Sequence, residues 1–424
     1  MSLLQDMRKT PPGYFVSRFG LGEYTDWIDE SRSWKESCYI GDWSFLWERL
    51  YRGPDVLKLI ADFSVNSFEK FDLLQSKHVT HCDENGKVIH EGILSRLGDN
   101  EYKLYGRGGF WLDFQNRSGK YDVESIPSDG FNFQVSGPSA VSVMEKLCGP
   151  QVRGVKFMHS GIVNIAGHSV YALRQGMAGE PGYELQGAAE HSKDVYEAVF
   201  SAGQEFGMRR LGFRAAMINH LEACFPTIVS DYLPAIFGPD MKGYCQYFTD
   251  SLPSFACTWN IAGSFESDEI SDWYRSPVEL GWGRNIKFDH EFLGSDALRK
   301  ELAHPRRTIR TLIWNPEDVI DVYASMFGDD QPYDYMDMPR NNRGFMYADR
   351  VTKGGSLVGV STSRGYSYSF RKMLSLCVID VEQAEIGNEV HILWGNPGST
   401  QKEIRATVAQ APFKKDNRRI SIAE

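Results

Sequence analysis

The stretch Arg174-Gln175-Gly176-Met177-Ala178-Gly179-Glu180-Pro181-Gly182-Tyr183-Glu184-Leu185 decides how the rest of the chain is read. It follows an apolar, β-branched run from Val163 to Leu173 that reads as strand. Three glycines and a proline within seven residues then force a turn. Glycines 176, 179 and 182 lack a Cβ, so the backbone is free to take positive φ and a flat ligand can approach it. Strand resumes at Tyr183-Glu184-Leu185 and leaves one carboxylate at the exit of the turn, a place to clamp a planar, hydrogen-bond-rich ring. On spacing alone, the same residues also describe a plain hairpin with Glu184 solvated or paired to an arginine.

Outward from that turn, the chain is too long for one ordinary core: 424 residues predict two or three domains. A formal charge of −10 and the lack of any long lysine/arginine run argue against a nucleic-acid partner. Seven scattered cysteines without a C-x-x-C suggest neither a disulfide framework nor a zinc site, and a reducing cytoplasm fits them best. His78-Val79-Thr80-His81 is a weak pair, so no metal is expected. No signal peptide and no membrane-spanning run are visible, and a monomer or small homo-oligomer is expected.

Two similar units stand upstream of the turn. Arg52-Gly53-Pro54-Asp55 precedes Val56, Leu59, Ile60 and Phe63 at helical spacing. Ser136-Gly137-Pro138-Ser139 precedes Ala140, Val143, Met144 and Leu147 in the same way, about 84 residues later. A duplicated βαβ element follows. Residues 76–128 are strand-rich, with a hairpin turn at Asp83-Glu84-Asn85-Gly86. Helices are expected over 190–206 and 294–302. His304-Pro305-Arg306-Arg307 reads as a linker to an all-β C-terminal domain, whose insert 328–350 is long enough to be functional or mobile. The expected division is 1–60 with 130–245, 61–129 with 246–303, and 304–424.

With these elements in view, the glycine turn resembles the R-x-G-Y-T-G-E-x-G-Y/F-E signature of the aminomethyltransferase family, the folate-binding T-proteins of glycine cleavage and their relatives. Further matches run along the chain: Gly41-Asp42-Trp43-Ser44-Phe45, Gly86-Lys87-Val88-Ile89-His90-Glu91, Pro277 to Gly283, and Val358 to Ser367. Arg174-x-Gly-Met-Ala-Gly-x-Pro-Gly, Leu233-Pro234-Ala235-Ile236, Tyr323-Ala324-Ser325-x-Phe327 and the insert after it are more similar to the tetrahydrofolate-dependent O-demethylases of vanillate and syringate. The resemblance implies an α+β chain of three domains ringed around a central folate channel.

It also implies tetrahydrofolate as cofactor and a small methoxylated aromatic acid as substrate. Glu184 would grip the pteridine edge, with Gln134, Tyr183, Met177 and Phe225 around the cofactor. Arg107, in a glycine-rich loop that is not a dinucleotide fingerprint because Trp111 breaks it, would anchor the substrate carboxylate. Phe45, Trp47, Ala216 and Phe237 would line the substrate. Glu91 falls where T-proteins carry an aspartate near folate N5, and His90 beside it would project to the opposite face of a strand. Asp42 reads as a turn cap.

Three positions depart from the demethylase pattern. Ala216 replaces a tyrosine proposed as general acid, Val16 a substrate-contacting tyrosine, and Phe45 a histidine. Either the leaving phenolate needs no proton, as with an electron-poor, halogenated methoxybenzoate, or Tyr232, His220 or a tyrosine of the insert supplies one. Competing expectations are a sulfonium-acid demethylase, a glycine-cleavage protein, and a folate-binding protein without turnover. The last is disfavoured by the missing K-G-C-Y-x-G-Q motif.

Overall fold

The computed structural model describes residues 2–10, 20–177, 179–253, 259–341 and 346–422. Val16 and Cys257, and part of the 328–350 insert, lie outside the described residues. The strands in chain order are β1 (Tyr39–Asp42), β2 (Glu48–Arg52), β3 (Ser76–Cys82), β4 (Val88–Arg96), β5 (Glu101–Tyr105), β6 (Glu124–Ser128), β7 (Gly130–Ser136), β8 (Ser160–Ile165), β9 (His168–Arg174), β10 (Gly182–Ala188) and β11 (Arg209–Leu211). After them come β12 (Ile261–Ala262), β13 (Arg307–Trp314), β14 (Met346–Tyr347), β15 (Asp349–Lys353), β16 (Ser356–Ser367), β17 (Lys372–Asp380), β18 (Glu389–Trp394) and β19 (Lys402–Ala409).

These strands form one sheet in the order β11-β1-β7-β10-β9-β8, a second in the order β3-β4-β5-β2-β6, and a closed barrel β13-β17-β16-β15-β18-β19. The architecture is therefore α+β with an all-β barrel at the C-terminus. The duplicated strand–helix–strand element is present and extends further than its sequence signal. In each copy a strand, a Gly-Pro turn and a helix lead into a three-stranded meander whose last strand pairs with the first. Gly53 and Gly137 open the two turns at φ 136° and 130°. Neither tolerates a Cβ: it would run into the backbone of Asp122 in one copy and of Ser37 in the other.

One boundary is corrected. Residues 48–60 were expected with the first unit, yet Glu48–Arg52 is hydrogen-bonded between β5 and β6 of the second sheet. β1 leads through a turn over 43–47 into β2, and β6 through Asp129 into β7, so the paired strands pass from sheet to sheet. The C-terminal unit also holds a helix, Pro316–Ala324, capped by Asn315 through bonds to the N–H groups of Glu317 and Asp318. Among the described residues no helix is long and apolar enough to cross a membrane.

The first sheet positions the site through its two faces. Phe131, Phe133 and Val135 of β7, with Tyr183 and Leu185 of β10, pack into an apolar core under the helices Ala140–Cys148 and Ser192–Gly203. The alternate residues, Asn132, Gln134, Ser136, Glu184 and Gln186, point the other way and are buried as well. A sheet with one polar face normally turns it to water. Here that face is turned inward, which is the arrangement of a polar binding site.

Candidate functional site

Glu184 lies directly opposite Gln134 in the β10–β7 pair and is 5% exposed. Burial pushes its carboxyl up to about 7, while the side chains of Gln134 and Asn132 pull in the other direction. No lysine, arginine or histidine pairs with it among the described residues. Tyr39 and Tyr105, both fully buried, are close enough to feel its charge. A buried carboxylate without a cation is costly, and its raised proton affinity reflects that cost. Among the described residues Gln186 Nε2, on the same face, is buried without a partner. This donor and acceptor set fits the hydrogen-bonding edge of a pterin.

The three glycines of the turn act differently from the sequence expectation. Only Gly179 has positive φ, at 77°. A Cβ on Gly176 would strike the carbonyl of Glu180, and one on Gly182 would lie 2.6 Å from the Val135 carbonyl. These glycines let neighbouring backbone close in, rather than clearing room for a ligand.

Beside the polar face stands an aromatic wall. Trp43, Phe45, Met177 and Ala216 pack together with Trp34 and Tyr39. Trp43 stacks on His220 with ring centres 6.3 Å apart, and Phe225 lies 6.1 Å from the same imidazole. His220 is neutral: burial, then Arg340 and Lys414, push it down to about 3. Its Nε2 is buried without a partner and its Nδ1 meets Thr227 Oγ1 at 3.3 Å.

A second cluster surrounds Arg107, which precedes the helix Gly108–Asn116. Its guanidinium lies 5.9 Å from the ring centres of both Phe248 and Trp259. Phe237 meets Trp259 edge-on at 5.2 Å, and Trp47 meets Phe110 at 5.5 Å. The Trp47 carbonyl accepts from Gly106 N–H, which ties that tryptophan to the Arg107 loop. His90 is part of this cluster, 4.9 Å from Phe248, and burial followed by Arg107 drives it well below the usual imidazole range.

Several expectations are corrected by side-chain direction. Tyr183 faces away from Glu184: its phenol donates to the Val152 carbonyl at 3.0 Å within the sheet–helix core. Adjacent strand residues point to opposite faces, so the neighbour of Glu184 could not share its side. Glu91 is partly exposed and bound to His78 Nε2 at 3.0 Å, whereas His90 meets the Arg107 cluster. Tyr232 is fully buried near Trp282, its hydroxyl has no partner, and burial then Glu91 raise it well above the phenol range. Asp42 caps the turn as expected, accepting from Ser44 N–H at 2.9 Å.

Sequence reasoning missed Asn132 and Gln186. Their signal was available in the alternation of Gly130–Ser136 and Gly182–Ala188, where every second residue is polar. Tyr39, Tyr244 and Phe248 carry no comparable local sign.

Comparison with known proteins agrees with this geometry. The GCVT N-terminal domain matches residues 11–237. The chain is 33% identical over 411 residues to the sesamin methylene transferase of a Sinomonas strain, covering 92% of this chain and 89% of that protein. It is 32% identical over 415 residues to the syringate O-demethylase of a Sphingobium strain, again covering 92% and 89%. The glycine cleavage system aminomethyltransferase T of Bartonella henselae has the same fold, with a TM-score of 0.67, 16% identity and 96% of each chain covered. The chain belongs to the GCVT family and is a folate-dependent one-carbon transferase.

Proposed function

We propose that this enzyme takes the methyl group of a methoxylated aromatic carboxylic acid and delivers it to tetrahydrofolate, releasing a phenol. The observation that carries this reading is Arg107, a guanidinium set among Phe248, Trp259 and fully buried His90. An aryl ring fits between such faces, and a guanidinium fork fixes its carboxylate in plane. The likeness to a syringate O-demethylase supports the same substrate class.

Tetrahydrofolate supplies the nucleophilic N5. Glu184, Gln134 and Asn132 would hold and orient the pterin, and Trp43, Met177 and Phe225 would supply apolar surface for it. Alignment of two bound partners is the larger part of such catalysis. The departing oxygen needs either a proton or intrinsic stability. Tyr232 remains a candidate donor because it keeps its proton, while His220, pushed down to about 3, is a neutral imidazole and no acid near neutral pH. An electron-poor, halogenated ring offers the other route, since each unit of lower phenol pKa relieves about 1.4 kcal/mol.

A second reading draws on the sesamin methylene transferase: removal of a methylenedioxy carbon. The two differ in product. Anaerobic incubation with tetrahydrofolate and a panel of methoxybenzoates, halogenated methoxybenzoates and methylenedioxybenzenes separates them. The proposal expects 5-methyltetrahydrofolate from a methoxybenzoate. Methylenetetrahydrofolate from a methylenedioxy compound alone would favour the second reading. Folate binding without any product would mark a non-catalytic folate protein, and turnover of a sulfonium acid or of an aminomethyl donor would mark the other enzyme classes.

A further inference from the structure

A line of buried polar groups runs from the C-terminal segment to Glu184. Lys414 Nζ donates to Asn219 Oδ1 at 2.7 Å, and Asn219 Nδ2 donates to the Tyr39 hydroxyl at 3.1 Å. The Tyr39 hydroxyl in turn donates to Gln134 Oε1. Gln134 Nε2 meets no partner of good geometry among the described residues, Glu184 included, yet Gln134 stands opposite Glu184 in the strand pair and its side chain steadies that charge. All five side chains are buried, none more than 5% exposed.

The polarity of this line is fixed at one end. An ammonium only donates, so Asn219 must present its oxygen to Lys414 and its amide to Tyr39. Tyr39 then gives its proton to Gln134 Oε1, which leaves the Gln134 amide as the unused donor on the strand facing Glu184. We propose that Lys414 is a positioning residue that sets the direction of every hydrogen bond in this line and so keeps a donor, rather than a carbonyl, beside the Glu184 carboxylate. The inference rests on Glu184 being the folate grip.

The placement of Lys414 links the site to the C-terminal unit. Its backbone N–H donates to the Glu222 carbonyl at 3.1 Å, and its Nζ lies 3.8 Å from the Glu222 carboxylate. That carboxylate also accepts from Trp34 Nε1 at 2.9 Å and from Ser367 Oγ of β16 at 2.5 Å. A Cβ on Gly179 would lie 2.9 Å from Lys414 Cε, so this glycine of the signature turn makes room for the lysine. The charged groups felt by Lys414 are Glu222, Glu180, Lys35 and Arg418, and the titratable groups that feel Glu184 are the phenols Tyr39 and Tyr105.

The test uses the full-length enzyme and 5-formyltetrahydrofolate, a stable folate, titrated across pH. Lys414→Met is expected to weaken binding about tenfold and raise the pH midpoint of binding by about one unit, the worth of one lost donor. Tyr39→Phe breaks the line at its middle without stranding a charge, and should give the same two shifts even if Lys414→Met folds poorly. The double variant should be no worse than either single one, because the line is already cut. Lys415→Met, an exposed neighbour, should behave as wild type. Wild-type affinity and midpoint in both single variants, additive losses in the double, or an equal loss in Lys415→Met would overturn the proposal. Failure of the wild-type enzyme to bind 5-formyltetrahydrofolate would instead overturn the folate grip, and this inference with it.

Discussion

The two copies of the duplicated unit treat the same strand position in opposite ways. Registered on Gly53 and Gly137, the pair Gln134–Glu184 of the first sheet corresponds to Leu50–Lys103 of the second. Asn132 corresponds to Glu48. In the second sheet the charges answer each other: Lys103 Nζ lies 2.6 Å from Glu48 Oε2, with side-chain exposures of 14% and 4%. In the first sheet the carboxylate has amides for neighbours and no cation among the described residues, and burial raises its proton affinity. A charge that the fold neutralises is structural, and the unbalanced charge of Glu184 is the one our proposal assigns to a ligand.

Breaking the two copies should therefore give unlike phenotypes. Replacing Glu184 by alanine is expected to cost folate affinity on the order of a hundredfold or more, since a charge-assisted bidentate grip is lost. Its melting temperature at pH 8 should hold or rise, because a buried unpaired charge has gone. Lys103→Met should do the reverse. It strands Glu48 in the interior, for a loss of about 3–5 kcal/mol in denaturant unfolding, with folate affinity unchanged in the folded protein.

Arg107 sharpens the comparison on the substrate side. Arg107→Met should raise the KM for a methoxybenzoate roughly ten- to a hundredfold through loss of a charged fork, and leave folate affinity intact. Equal effects on both ligands would show that the two clusters do not divide the work in this way. The smallest expected effect belongs to Tyr183→Phe. Removing its bond to Val152 should cost about 1 kcal/mol of stability, with no change in folate affinity, because that phenol lies on the core face.

How far the sequence revealed this follows from the range over which each signal acts. Glu184 and Gln134 were legible because turn chemistry and strand alternation are local and together define a register. The same alternation shows why Tyr183 was misplaced: adjacency along a strand means opposite faces, and the motif was read as a string instead of as a pleat. The strand at Glu48–Arg52 was misassigned because local pattern marks a strand without naming its partners. His90 and Glu91 were seen as opposite-facing, but which face held the Arg107 cluster depended on the helix Lys242–Asp250, far along the chain. Lys414 gave no sign at all, since its meaning lies in contacts with Asn219 and Glu222 on a helix almost two hundred residues earlier.

The pH dependence of folate binding tests the central claim most directly. Between pH 4.5, the ordinary carboxyl value, and about 7, the folded protein holds a proton on Glu184 that the unfolded chain has released. The ligand-free fold therefore loses stability as pH rises through that window. A ligand that needs the ionised carboxylate must do the opposite: affinity should climb about tenfold per pH unit below 7 and level off above it. The account predicts that profile for 5-formyltetrahydrofolate in the wild-type enzyme, and a flat, weak one in Glu184→Gln. An identical rise in the glutamine variant would contradict it.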